Sequence, residues 1–545
     1  MRLDDWFLTA AERGNAATGI DRRHAEAGPT GNAWTTGNEV RPLVHGATYF
    51  AALRSCVDSL TKGDSLYFTD WRGDPDERVD SSGTNISTVL ASAAARGVNV
   101  NGLVWRSHWD RLAFSAAENR RLGAEIEAAG GCCLLDMRVR FGGSHHQKFV
   151  VLRHGPTGAG SDGSDGSDDV AFVGGIDLCH SRRDDERHLG DPQRQTMAAV
   201  YGKTPPWHDA QVAICGPAVG DLDYTFRERW LDPQPLARAP WRRIADRVRG
   251  TDVRARTLPD QPPDPPTVGT HAVQILRTYP KRLHPYPFAP DGERSIARAY
   301  RKALCRARAL IYIEDQYLWS SHVVQAFASA LRDQPGLRMV AVLPLHPDQD
   351  GKVARPPNDL GRLDALRVLR DAGGDRVAFY GLENSNGTPI YVHAKICVID
   401  DVWASLGSDN VNRRSWTHDS ELSCAILDER LDNREPTDPG GLGDGARHFA
   451  RDLRLQLARE HLGRDSGDDA DLVDPKQFFD VFAQHAADLD VWHARGEYNE
   501  RPPGQLRRHV DVGLGLGPRL FARPLYRFVY DPDGRPWRMR RAGQY

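Results

Sequence analysis

Between Tyr391 and Asn410 the chain reads Y-V-H-A-K-I-C-V-I-D-D-V-W-A-S-L-G-S-D-N. An imidazole (His393), an ammonium (Lys395), a hydroxyl (Ser408) and an amide (Asn410) fall within this one stretch. An imidazole can attack or move a proton, while ammonium and amide groups hold developing negative charge. That combination suits a phosphate. A single H-x-K triplet would carry little weight, but the chain has a second, His146 and Lys148 in S-H-H-Q-K-F-V-V-L (Ser144–Leu152). Two such pairs can share the work of breaking a phosphodiester. One His attacks phosphorus, and the other protonates the leaving alcohol and then deprotonates water or another alcohol. Two lysines and an Asn offset the charge on the phosphate oxygens, so this chemistry calls for no metal and no cofactor.

The elements that must position these groups are short strands. Ile396–Ile399 and Trp403–Leu406 are apolar runs of strand length, and Asp400–Asp401 between them supplies a turn, which predicts a hairpin. Alternation along a strand then aims His393 and Lys395 the same way. In the first copy, Lys148 leads into an apolar run and Val170–Val173 leads to Gly174–Gly175–Ile176–Asp177. Gly407 follows His393 by 14 residues and Gly174 follows His146 by 28. The copies register if the Gly/Ser/Asp tract Gly155–Asp169 is an inserted loop. Its acids recur every three residues rather than every two, which favours a solvated loop over a calcium site.

Ahead of each motif, helical and strand patterns alternate three times. The first series is a helix ending near Leu60, the strand Leu66–Trp71, a helix near 86–95, the strand Val98–Trp105, a helix near 116–129 and the strand Cys132–Met137. The second is a helix near 296–307, Leu310–Ile313, a helix near 323–331, Leu337–Leu343, a helix near 359–369 and Val377–Tyr380. This predicts an internal duplication in an α/β chain, with the Pro-rich Pro259–Pro266 as linker.

H-x-K twice in one chain, followed by G-S-x-N in the second copy and by G-G-I-D in the first, resembles the phospholipase D superfamily. The stretch Gly174–Cys179 (G-G-I-D-L-C) with Arg182 and Asp184 is similar to the first-half signature of phosphatidylcholine-type phospholipases D. So are P-W-H-D (Pro206–Asp209), G-P-A (Gly216–Ala218), R-x-R-W (Arg227–Trp230), I-Y-I-E-D-Q-Y (Ile311–Tyr317) and E-H-L-G (Glu460–Gly463). The resemblance spans roughly residues 40–465. It implies two fused α/β sandwich lobes, 40–255 and 270–465, related by a pseudo-two-fold axis, with one active site at their interface and 466–545 packed on them as an extension. It further implies His146 as nucleophile and His393 as acid/base, with Lys148, Lys395, Asp400 and Asn410 completing the catalytic set. Ser408, Asp177 (where the first half would carry the matching Asn) and Glu314 are the implied substrate-binding residues, and the resemblance suggests Gln316 beside Glu314 as lining the site. Asp209, Asp419 and Glu421 are the candidates to orient the two imidazoles; His145 is read as structural.

One departure stands out. Five residues after Lys148, where the second copy has Asp400, the first has Arg153; Asp168, in register with Asp401 from the glycine side, is the candidate acid at that turn. If the motif acid is scaffold, activity survives; otherwise the chain is a catalytically dead lipid-binding scaffold. The 545 residues carry a formal net charge of −3, which argues against a dedicated nucleic-acid binder. No apolar run approaches the ~20 residues of a membrane span. The N-terminus lacks a signal-peptide pattern, giving a cytoplasmic address by default. The eight cysteines are scattered, with no zinc spacing. The basic, aromatic tail Arg519–Arg541 is expected to tuck back on the enzyme, with contact to an anionic membrane as the alternative. The expected function is hydrolysis of phosphatidylcholine-like phospholipids by a monomer in peripheral contact with a membrane, with head-group exchange when another alcohol is present. The alternatives are a nuclease, a phosphatidyl-transferring synthase, or the dead scaffold.

Overall fold

The computed structural model describes the chain apart from residues 21–32, 109–115, 156–167, 238, 251–252, 351–354, 498–499, 511–512 and 514. Most of the tract read as an inserted loop therefore lies outside the described residues.

In the first half the strands are β1 (Thr35–Val44), β2 (Ser65–Asp70), β3 (Asn99–Trp105), β4 (Cys132–Asp136), β5 (Phe149–Arg153), β6 (Val170–Gly174), β7 (Trp207–His208) and β8 (Ala210–Cys215). β2, β3 and β4 run parallel, joined by the helices Ile86–Ala95 and Ala116–Ala128. β5 pairs antiparallel with β2, β6 with β5, β8 with β6, and β1 with β8. The second half comprises β9 (His271–Tyr279), β10 (Leu310–Asp315), β11 (Arg338–Val342), β12 (Val377–Glu383), β13 (Pro389–Val392), β14 (Lys395–Ile399), β15 (Trp403–Gly407) and β16 (Glu421–Asp428). Here β10, β11 and β12 are parallel, and β14, β15, β16 and β9 follow antiparallel from β10. The order of pairing is the same in both halves, and β1 also bonds to β9.

Strand alternation builds three apolar layers. Phe149 and Val151 of β5 and Ile396 and Val398 of β14 belong to one core shared by both sheets. Their neighbours Val150 and Leu152 face the helices of the first half. Cys397 and Ile399 face those of the second. The chain is thus a mixed α/β protein whose two sheets bury their inner faces together.

The Asp400–Asp401 turn is formed as expected, with both residues left-handed (φ 53° and 57°), the geometry that matches a hairpin's twist. Its carboxylates are structural. Asp400 accepts hydrogen bonds from the backbone N–H of Arg308, Ala309 and Leu310 at 2.7–2.8 Å, which fixes the start of β10. It lies the length of β14 from Lys395, about 17 Å, so its assignment to the catalytic set is corrected. Asp401 is gripped by Arg451 and Arg454 at 2.6–2.9 Å. At the first-half turn, Arg153 itself takes the structural role, bonding Asp169 (2.7 Å) and Asp223 (3.4 Å). The returning acid is Asp169 rather than Asp168.

Two segments carry more of the fold than expected. Trp6, Phe7 and Leu8, for which no role is predicted, are buried in the second-half core. After residue 465, β17 (Leu506–Arg508) extends the second sheet beside β12, and Phe478 and Phe482 enter the shared core. Asp401→Ala leaves two buried guanidinium groups facing a cavity. It is expected to cost about 3–5 kcal/mol, read as a lowered urea midpoint; an unchanged midpoint would show the turn to be dispensable.

Candidate functional site

Both motif histidines sit outside the strands that follow them. His393 lies in the break between β13 and β14, and His146 lies three residues ahead of β5. The simple picture of His and Lys alternating on one strand is therefore corrected. The reason is backbone bonding to the opposite half. His146 N donates to Ser420 O (2.9 Å), and His393 N donates to His208 O (2.7 Å), pulling each His onto a segment of the other half.

The side chains follow the same rule. His146 Nδ1 is 2.8 Å from Glu421 Oε2, and His393 Nδ1 is 2.6 Å from Asp209 Oδ2. A carboxylate only accepts, so each imidazole carries its proton on Nδ1 and leaves Nε2 for chemistry. Ser408 donates to the same Glu421 oxygen at 2.6 Å, so its hydroxyl steadies that acid. Asp209 also accepts from Trp207 Nε1 (3.4 Å) and Ala210 N (3.0 Å). A Cβ on Gly175 would lie 2.3 Å from Asp209 Oδ1, so the G-G pair makes room for this carboxylate.

Asp419 touches neither imidazole. It accepts from Ser144 N (3.0 Å) and Ser144 Oγ (2.7 Å) and pairs with Arg414 (2.8 Å), so it anchors the loop that leads to His146. Glu314 is fully buried beneath the site, bonded to His208 Nε2 (2.5 Å) and His461 Nε2 (2.7 Å). It does not line the pocket, which corrects its assignment as a substrate-binding residue.

The lysines complete the arrangement. Each folds its ammonium back onto the carbonyl of the His two residues before it, Lys148 at 3.1 Å. Lys148 also lies 3.5 Å from Asp177, and Lys395 lies 3.4 Å from Gln316 Oε1. Asp177 and Asn410 occupy matching places. Asp70 at the end of β2 accepts from Leu178 N (2.8 Å), and Asp315 at the end of β10 accepts from Val411 N (2.8 Å). Asn410 Oδ1 is buried and unpartnered in this structure.

Burial, reinforced by Lys395, Arg182 and Lys148, holds the His393 imidazole well below the usual histidine range. Burial brings the Lys395 ammonium down to about 8. Burial would raise Asp177, but Lys148 and Arg182 outweigh it and keep the carboxyl low. Lys148 and Asp177 of the first half thus act on His393 of the second, so both motifs contribute to one pocket. Arg182 is a further contributor, set over the Trp207 ring at 3.9 Å and 3.4 Å from Asp177. Gln316 is another. The G-G-I-D-L-C and I-Y-I-E-D-Q-Y blocks carry both, but spacing alone gives no hint of their contacts. His145 is buried, with neither ring nitrogen hydrogen-bonded.

Below the pocket, Glu460 Oε1 lies 2.9 Å from His45 Nε2, 3.0 Å from His188 Nε2 and 3.5 Å from His208 Nδ1, a grouping close enough to ligate an ion. Protons account for it equally well. Burial is outweighed by Glu314 and Glu460 in raising His208 to about 10, and by Asp184 and Glu460 in raising His188. The His208 imidazolium then offsets charge on both Glu314 and Glu460.

A sequence profile described as phospholipase D matches residues 130–334, across the first motif. A second, described as cardiolipin synthase, PLD-like domain, matches residues 300–434, across the second. This chain belongs to the phospholipase D superfamily. It is 26% identical over 571 residues to phospholipase D alpha 2 of Oryza sativa subsp. japonica, covering 81% of this chain and 67% of that one. Phospholipase D1 of Schizosaccharomyces pombe is 26% identical over 402 residues, with 59% of this chain and 27% of that one covered. For phospholipase D A of Dictyostelium discoideum the values are 27% over 488 residues, 76% and 35%. The chain thus spans between about a quarter and two thirds of these relatives' lengths. Among solved structures, phosphatidylserine synthase of Haemophilus influenzae Rd KW20 aligns at a TM-score of 0.47 and 14% identity, over 73% of this chain and 84% of that one.

The electrostatics of this superfamily member give a test that needs no substrate. At about pH 6, where a free imidazole is largely charged, ¹⁵N NMR should show His393 neutral and protonated on Nδ1. An imidazolium signal assigned by comparison with His393→Gln would refute the low proton affinity.

Proposed function

We propose that this protein is a phospholipase D that hydrolyses phosphatidylcholine-like glycerophospholipids to phosphatidic acid and the free head group. The observation that carries the reading is the reciprocal orientation of the two imidazoles, each bonded through Nδ1 to a carboxylate of the other half. Residues 40–255 and 270–465 act as two lobes, each bringing one H-x-K motif, with 466–545 packed on them. The enzyme works in peripheral contact with a membrane, where its substrate lies; among the described residues no helix is long and apolar enough to cross one.

His146 Nε2 attacks phosphorus. A P–N bond forms as the bond to the head-group oxygen breaks, and His393 Nε2–H gives that oxygen its proton. His393 is neutral before substrate arrives because it is buried and Lys395, Arg182 and Lys148 lie around it. A phosphodiester anion held by Lys148, Lys395 and Asn410 offsets those cations and lets the imidazole take up the proton it then donates. In the second step His393 Nε2 removes a proton from water, the water oxygen attacks phosphorus, and the P–N bond breaks to release phosphatidic acid. A primary alcohol in place of water gives the exchanged phospholipid. Pairing of Arg153 with Asp169 supports a scaffold role for that motif position, and so supports an enzyme over a dead scaffold.

Choline release from short-chain phosphatidylcholine should be abolished in His146→Ala and in His393→Ala. Asp209→Asn should lower kcat by on the order of 10³-fold, because the tautomer of His393 is no longer fixed. Wild-type silence across a panel of head groups, with and without added alcohol, sinks the proposal. The sign of the alkaline limb follows from Lys395. Its ammonium is charged below about pH 8 and neutral above, so kcat/KM should fall as pH rises through that value, and the fall should move to higher pH in any Lys395→Arg variant that retains turnover. A flat profile through pH 9 would remove Lys395 from phosphate binding.

A further inference from the structure

The loop that delivers His146 ends in an unusual exposure. Phe141, five residues before His146, is 99% exposed, and Leu283 beside it is 92% exposed. Both line a recess of ≈ 600 Å³ whose other wall includes Trp537, itself 61% exposed. Phe141 and Trp537 also border a second recess with Phe528, 74% exposed. Isolated exposed apolar residues are ordinary, but four large ones around contiguous recesses are not.

The charge around them is mostly positive; Asp533, on the second recess, is paired with Arg535 at 2.9 Å. Trp537 opens the short helix Trp537–Arg541 (W-R-M-R-R). Arg538, Arg540 and Arg541 are exposed, and among the described residues no carboxylate pairs with them. Arg540 lies near enough to Arg140 to help lower that guanidinium's proton affinity, after burial. Aromatic rings and arginines presented together, on a chain whose total charge is slightly negative, suit the interface of an anionic bilayer.

The patch is wired to the site through Arg414. Arg414 donates to Gly142 O (2.6 Å) in the Phe141 loop, to Val529 O (2.7 Å) in the tail, and to Asp419 (2.8 Å), which in turn holds Ser144 two residues before His146. The tail is itself fixed, through Asp531 bonded to Arg413 N (2.8 Å) and Tyr526 OH bonded to Trp319 O (2.5 Å). It packs against the protein at these points and presents Phe528 and Trp537 outward.

We infer that the Phe141 loop and the tail segment bearing Phe528 and Trp537 form the membrane-docking face, which takes an anionic phospholipid bilayer. The inference rests on the phospholipase reading and names the surface through which that site meets its substrate. Phe141 and Trp537 enter the interface, and Arg538, Arg540 and Arg541 bind lipid phosphates. Phosphatidic acid, the product, would strengthen docking as it accumulates.

The test is co-sedimentation of the full chain with vesicles of phosphatidylcholine alone and of phosphatidylcholine mixed with phosphatidic acid. Phe141→Ser should weaken binding to the mixed vesicles roughly tenfold. Replacing the three helix arginines with Gln should weaken it by about fivefold each and flatten its salt dependence. Turnover of monomeric short-chain phosphatidylcholine should be unchanged in all these variants, while turnover of vesicle lipid falls. Variants that bind vesicles like wild type overturn the inference. So does a wild-type dimer that Phe141→Ser dissociates, since a second copy would then be the occupant. A wild-type chain inert towards monomeric lipid, yet binding anionic vesicles through these residues, would instead remove the phospholipase reading and leave the docking face standing.

Discussion

Two imidazole–carboxylate hydrogen bonds, His146 to Glu421 and His393 to Asp209, hold the site together, and each runs from one half of the chain to the other. A tautomer fixed this way depends on the docking of two sheets rather than on local sequence. The backbone bonds from His146 to Ser420 and from His393 to His208 enforce the same crossing. The shared apolar core beneath, built from alternate residues of β5, β6, β14, β15 and β16, keeps the sheets in that register. Buried carboxylates are costly unless satisfied, and both acids here have additional donors: Ser408 for Glu421, and Trp207 and Ala210 for Asp209.

The floor of the pocket shows how far that demand reaches. His45 donates from Nδ1 to the carbonyl oxygen of Asp209 and faces Glu460 with Nε2. Glu460 in turn meets His188 and His208, and Glu314 joins His208 to His461. These residues come from β7 and β10, from the helix His448–Leu462 and from the loops before the helix Gly46–Ser59 and after β6. A hydrogen-bonded cluster of this kind rigidifies the segment Trp207–Asp209 from below. The segment then presents Asp209 upward to His393 and Trp207 to Arg182.

Apolar runs and turn residues made the strands, the hairpin at Asp400–Asp401 and the repeated helix–strand series legible, because period and punctuation are local properties. The choice among acids was not local. Asp419 and Glu421 flank Ser420, whose carbonyl bonds His146 N, and only the direction of β16 decides that Glu421 reaches the ring while Asp419 reaches Ser144. Glu314 sits in a family-like block, yet strand geometry turns it down towards His208 and His461 and leaves Gln316 to meet Lys395. Arg153 looked like a defect only because its partner, Asp169, follows the tract by a distance that spacing cannot foresee. Trp6, Phe7 and Leu8 were unreadable for a simpler reason. Three large residues in a row have no period, and their burial depends on a surface formed hundreds of positions later.

The crossing of partners between halves also bears on biosynthesis. Translation delivers the half with His146 first, and domains fold as they emerge. At that moment its ring has no carboxylate, and Asp209 has no imidazole. A nascent or truncated product therefore lacks both imidazole–carboxylate pairs, and the site is assembled only when the polypeptide has closed upon itself.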